Sequence, residues 1–115
     1  MSITSDALRG HTDTIILRHL LHGDSYGYEI NKSILQKTGH AFELKEATLY
    51  SSFRRLEENG LISSYWGDEE RGARRRYYAI TPEGRKRYAC NVSDWKDTKV
   101  LIDRLILPEG GQTPC

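Results

Sequence analysis

The chain has 115 residues, of which 37% are hydrophobic and 29% charged, with a formal net charge of +1; that length supports one modest core and not two. The small net charge conceals an uneven distribution, because the segment from Arg71 to Arg87 carries seven basic residues against one acid, Glu83. The N-terminus lacks the basic start and apolar stretch of a signal peptide and no apolar run approaches membrane-spanning length, which predicts a soluble, cytoplasmic protein without a membrane partner.

In chain order, the first helix takes Ser5 as a candidate N-cap, carries Leu8, Ile15, Ile16, Leu20 and Leu21, and ends before Gly23. A second helix follows the Asp24-Ser25 cap signal, with Tyr28, Ile30, Ile34 and Leu35 as its apolar set and a stop at Gly39. HAFELK is a connector. The third helix runs from about Glu46 to Asn59 and closes at Gly60; Leu49, Phe53 and Leu56 form one face, and Ala47, Thr48, Ser51, Arg54 and Arg55 fall away from it. After Gly60 the period becomes extended: LISSYW and RRRYYAI flank GDEERGA and predict a β-hairpin. Thr81 as cap and Pro82 at the first helical position open a fourth helix, uninterrupted by Gly or Pro from Arg85 to Leu107. The tail PEGGQTPC has no apolar periodicity and is expected to be disordered.

Three helices followed by a hairpin is the order of a winged helix-turn-helix, so the expected fold class is α+β, a winged helix-turn-helix domain with one long C-terminal dimerisation helix. The division is residues 1–81 for the DNA-binding unit, 82–107 for the helix and 108–115 for the tail. Hydroxyls and guanidinium groups on helix three suit base edges and phosphates, and the hairpin arginines suit phosphates. Against this stand a solvated strand edge for Arg74–Arg76 and pairing of Arg54 and Arg55 with Glu57 and Glu58. Glu69 and Glu70 at the hairpin tip oppose phosphate binding.

The combination YGYEI (26–30), EATLY (46–50), RRLEENGLI (54–62) and RRRYYAITPEG (74–84) resembles the PadR-like transcriptional regulators over residues 12–88. The single C-terminal helix looks like the small subclass, and SSYWGD with Trp95 looks like its multidrug-sensing branch. Ser51 departs from the proline that many members carry after the TLY triplet. The resemblance implies a homodimeric repressor that binds a palindromic operator in double-stranded DNA and releases it on meeting a small aromatic effector. The DNA-contacting candidates are Lys45, Thr48, Tyr50, Ser51, Arg54 and Arg55, with Arg74, Arg75 and Arg76. Tyr50 has a second reading as packing against the first helices, since its angle on the wheel is lateral.

A fourth helix of about 25 residues would span nearly 40 Å and must project from so small a domain. Tyr88, Val92, Trp95, Ile102 and Ile106 recur close to a coiled-coil seam, interrupted by Lys99, and form the dimerisation candidates. Folding back of this helix onto its own domain is the less favoured alternative. Trp95 is expected in an effector pocket with Asn91 and Lys99 and, by the resemblance, Thr14 and Arg18 of helix one; as a plain interface anchor it would need no ligand. Lys99 and Arg18 would favour neutral or anionic aromatics.

No nucleophile elbow, phosphate-cradling glycine loop or acid-base pair points to an enzyme. Cys90 and Cys115 read as free thiols, and His19 with His22 as a helix-surface pair, so no metal or cofactor is expected. The rival to DNA binding is a winged-helix protein-protein assembly module, for which exposed Tyr65, Trp66 and Tyr77 would serve.

Overall fold

The computed structural model describes residues 8–68 and 74–109. Its elements are α1 (Thr12–Leu20), α2 (Gly27–Lys37), α3 (Glu46–Glu58), β1 (Ile62–Trp66), β2 (Arg76–Ile80) and α4 (Pro82–Ile106). The two strands are antiparallel, with Ile62 opposite Ile80, Ser64 opposite Tyr78 and Trp66 opposite Arg76. This is the expected α+β winged-helix order with a long C-terminal helix. The proposed Ser5 cap, the acidic hairpin tip at Glu69 and Glu70, Arg71, Cys115 and the end of the tail lie outside the described residues.

The core forms where the apolar faces of α1, α2 and α3 meet the inner side of the hairpin. Ile16, Leu17, Leu20, Ile30, Leu49, Phe53 and Leu56 are buried there. Tyr78 of β2 stacks on Phe53 of α3 with ring centroids 3.8 Å apart, fixing the wing against the third helix. Tyr28, assigned by periodicity to the inner face of α2, is instead exposed.

Two helix starts differ from the sequence expectation. α1 begins at Thr12, because Gly10 takes a positive φ of 89° and ends the short turn that holds Leu8. α2 begins after Tyr26 without a side-chain cap. The expected cap residues are engaged elsewhere: Asp24 accepts a hydrogen bond from the Tyr65 hydroxyl at 2.6 Å, and Ser25 pairs its backbone with Tyr78 at 3.1 and 2.8 Å. Ser25 thus joins the segment between α1 and α2 to the outer side of β2 by one bridge.

The entry to α3 is set by a single amide. Asn31 of α2 donates to the Leu44 carbonyl and accepts from the Leu44 N–H, both at 2.9 Å, which satisfies both backbone groups of a buried residue. At the far end Asn59 is the C-cap and Gly60 has φ 73°, the left-handed geometry that suits glycine.

α4 is rooted in the wing. Thr81 accepts from the Gly84 N–H at 3.0 Å and donates to the Gly60 carbonyl at 2.7 Å, while Pro82 occupies the first turn as expected. Gly84 is buried so tightly that a Cβ there would lie 2.1 Å from the Leu61 carbonyl oxygen. The following turns pack on α1 of the same chain, with Asn91 donating to Thr14 Oγ1 at 2.9 Å and the Trp95 ring 5.0 Å from His11. Folding back therefore does occur, over the first half of the helix; the second half is exposed throughout and gives the described residues a long axis of 60 Å against 30 and 22 Å.

Candidate nucleic-acid interface

Every candidate on α3 and its lead-in is exposed: Lys45, Thr48, Tyr50, Ser51, Arg54 and Arg55. Leu49, Ser52, Phe53 and Leu56 turn inward, leaving Ala47, Ser51 and Arg54 near the crest. Tyr50 is 45% exposed, edge-on to Phe53 at 5.6 Å and tucked against Gly27, where a Cβ would stand 3.1 Å from its hydroxyl. The ring packs, as the second reading of Tyr50 has it, and the hydroxyl has no hydrogen-bond partner among the described residues.

The wing adds a cationic wall. Arg74 donates to the Gly67 carbonyl at 3.3 Å, and Arg75 lies over the Tyr26 ring at 4.8 Å. Arg76 sits over Trp66 at 5.4 Å and donates to Ser64 at 2.8 Å. Its partner acid, at 3.7 Å, is Glu57. These contacts hold long side chains at the exposed wing surface. Between α2, α3 and the wing lies an open cleft of about 840 Å³ lined by Tyr28, Tyr50, Arg54, Trp66 and Arg74–Arg76.

The alternative to DNA contact, pairing of Arg54 and Arg55 with Glu57 and Glu58, is not what the structure shows for Arg55. Arg55 reaches α1 and pairs with Asp13 through Nε at 3.3 Å and through Nη2, which also lies 3.3 Å from Ser52 Oγ. The hydrogen bonds it donates to the Asp13 carboxylate hold the guanidinium above its ordinary pKa.

A second concavity, of about 520 Å³, lies between α1, α2 and α4. It unites Thr14, Arg18, Asn91 and Trp95 over an apolar floor that includes Ile15, Phe42 and Val92. Lys99 does not line it; it stands a turn further along α4, beyond the part that packs on α1. His11, His19 and Lys37 do line it, and no carboxylate lines it among the described residues. His19 bonds Ser25 at 3.0 Å, and Ser25 donates to Glu29 at 2.5 Å; burial lowers the His19 pKa from its ordinary 6.5, outweighing the opposing pull of Glu29. His22 bonds Arg18, so the two histidines have separate partners. Ser25 is 1% exposed, with its hydroxyl proton directed at Glu29 Oε1.

Residues 16–90 match the sequence profile of the Transcriptional regulator PadR-like family. The chain belongs to the PadR-like family of transcriptional regulators. A solved transcriptional regulator from Clostridium thermocellum is 53% identical, with a TM-score of 0.83 over 90% of this chain and 98% of its own. A PadR family transcription regulator from Clostridium difficile is 35% identical, with a TM-score of 0.72 over 84% of this chain and 99% of its own. An uncharacterized protein of Lysinibacillus sphaericus is 46% identical over 88% of this chain and 93% of its own length.

In this PadR-like regulator, sequence reasoning overlooked Asp13, Tyr26 and Tyr28 at the interface and His11, His19 and Lys37 in the groove. Tyr26 and Tyr28 stood inside the YGYEI motif, which marked the family without assigning the rings a surface. Nothing local marks Asp13, since its partner is 42 residues away. Of the seam candidates, Tyr88 and Val92 are half-buried toward their own domain, while Trp95, Ile102 and Ile106 are exposed together with Val100, Leu101 and Leu105. Cys90 is an exposed free thiol, and no described helix is long and apolar enough to cross a membrane.

Proposed function

We propose that this PadR-like regulator acts as a homodimeric repressor of a palindromic operator, with residues 1–81 binding DNA and α4 (within 82–107) pairing two copies. The observation that carries the reading is the continuity of the exposed α3 crest with the arginine-lined cleft of the wing. α3 enters the major groove, where Ser51 and Arg54 approach base edges, while Lys45, Thr48, Tyr50 and Arg74–Arg76 hold phosphates. Exposed Ile102, Leu105 and Ile106 are covered by the same helix of a second copy, since an apolar stripe of this length is unfavourable in water.

The groove beside Trp95 receives a small aromatic effector. A flat ring stacks on the 45% exposed indole, and Arg18, Lys37 and the two histidines favour neutral or anionic compounds over cationic ones. Because α1 and α4 both line it, a bound ring alters how the pairing helix sits on the DNA-binding unit, which supplies a route to release.

Operator selection from random duplexes, repeated with planar aromatic acids, amines and neutral compounds, tests the reading. Recovery of a palindrome with half-sites about one helical turn apart, bound at one dimer per duplex and released by a neutral or anionic aromatic, is the expected result. Sequence-blind or absent binding would leave a protein-assembly module in its place.

A further inference from the structure

Arg55 is fixed in an unusual way for a side chain on a reading helix. Its Nε and Nη2 face the Asp13 carboxylate, and Nη2 also reaches Ser52, so one edge of the guanidinium fork is occupied from within the protein. The Nη1 edge has no partner among the described residues. Arg55 shares a ridge of α3 with Thr48 and Ser51, and with them and Lys45 it borders an open hollow of about 910 Å³ between α1 and α3.

Stability explains this pair poorly. Both side chains are substantially exposed, at 50% and 32%, and solvent-exposed ion pairs contribute little to folding. Non-specific affinity explains it no better, because an arginine neutralised by an adjacent carboxylate releases little counterion from DNA. What the pair does supply is orientation: a planar fork gripped along one edge presents its remaining donors in a fixed direction, without the rotamer freedom a lone arginine loses on binding. A fixed fork discriminates between bases, whereas a free one serves phosphates equally well.

We propose that Asp13 is a positioning residue for sequence reading, holding Arg55 by one edge so that the Nη1 edge meets a base beside α3. The inference rests on α3 being the DNA-reading helix. It assigns to α1, which otherwise serves as scaffold, a direct part in operator choice.

The test compares native protein, Asp13→Asn, Asp13→Glu, Arg55→Gln and the Asp13→Asn/Arg55→Gln double variant on the selected duplex, its single-base-pair variants and a random duplex, at several salt concentrations. In Asp13→Asn, discrimination at one base pair of each half-site falls about fivefold or more. Random-duplex affinity holds or rises, and the salt slope steepens by up to about one because a negative charge has left the surface. Arg55→Gln loses discrimination at the same base pair, the double variant loses no more than either single one, and Asp13→Glu recovers part of it. Equal weakening on every duplex, with a lowered melting temperature, would make the pair structural and overturn the proposal, as would loss of discrimination at different base pairs in the two single variants. If the native protein binds all duplexes equally, the reading of α3 falls and this inference with it; if it discriminates but Asp13→Asn does so equally well, only the inference falls.

Discussion

Gly27→Ala separates contact from packing at the start of α3. The new Cβ would stand 3.1 Å from Tyr50 Oη and 3.2 Å from Leu49 Cδ2, against a relaxed carbon–oxygen contact of about 3.3–3.6 Å. Both contacts are tight, so both neighbours must give by a few tenths of an ångström. The half-exposed Tyr50 ring moves outward, whereas Leu49, locked in the core, yields less and leaves some overpacking. Gly27 is not among the positive-φ glycines, and alanine gains up to ~1 kcal/mol of helix propensity over glycine, which offsets part of an overpacking cost of about 1–3 kcal/mol. On the proposed reading, the hydroxyl would then leave its phosphate. A hydrogen bond to a charged group contributes about 1.5–3 kcal/mol, so Tyr50→Phe should weaken operator binding roughly 10- to 100-fold for each such contact, and Gly27→Ala by a smaller factor. Paired melting curves and duplex titrations of both single variants and the double variant measure this. In the Tyr50→Phe background Gly27→Ala should cost no further affinity. A lowered melting temperature with unchanged affinity in both single variants would refute the phosphate contact and leave Tyr50 as packing.

Gly84→Ala should be far more damaging, because its Cβ meets backbone at 2.1 Å; overpacking of about 1–3 kcal/mol or more, at roughly 4–8 °C per kcal/mol, predicts a fall of ~10 °C or more at fixed protein concentration, and a fall of under ~3 °C on that scale would contradict the close approach. Arg75→Ala and Arg76→Ala should each weaken all duplexes alike and flatten the salt dependence by up to about one; for Arg76 the nearby Glu57 already offsets part of the charge, and an unchanged salt slope in both variants would contradict phosphate contact by the wing. With Trp66→Phe leaving Trp95 as the sole tryptophan, saturable quenching by neutral or anionic planar aromatics is expected and should vanish in Trp95→Ala; preferential quenching by cationic dyes would contradict the groove's electrostatics. Burial lowers the folded-state pKa of His19 below its ordinary 6.5, so the unfolded chain binds the proton more readily and this site's stabilisation is complete above 6.5 and lost as pH falls through the lowered value. The melting temperature of His19→Gln should therefore fall less than the native one between neutral pH and that range, and parallel pH profiles would contradict the assignment.

What could be read from the sequence was what is decided locally. Gly60 after a helical face, and Thr81-Pro82 before one, act through their own backbone, so α3 and α4 were bounded almost to the residue. Ser25 misled because a serine before a helix is a cap only if its backbone and hydroxyl are free; here both serve partners on β2 and α2. The effector candidates Thr14, Arg18, Asn91 and Trp95 did converge, but Lys99 did not, because periodicity shows which side of a helix is apolar and not how far along it a neighbour extends. The Asp13–Arg55 pair was invisible for a related reason: a tertiary contact between two surface charges leaves no pattern in either segment. The exposed Leu101 and Leu105 escaped a seam drawn through Tyr88, which packs against the chain's own core, and Val92, which lines the groove.

The buried Gly84 fixes more than a packing detail, because it anchors the root from which α4 departs. With its first half packed on α1, the helix turns with the domain as one body, and 25 residues at about 1.5 Å each make that body's arm roughly 37 Å long. If two copies pair near the exposed far ends, as proposed, a tilt of about 5° there moves each root, and the unit it carries, by about 3 Å, so the two heads would shift apart or together by several ångströms, about the rise of one or two base pairs. On that proposal, a tight fit at the root would act as a ruler for operator spacing, and a looser residue there would blur which spacings a dimer accepts before it unfolded the domain.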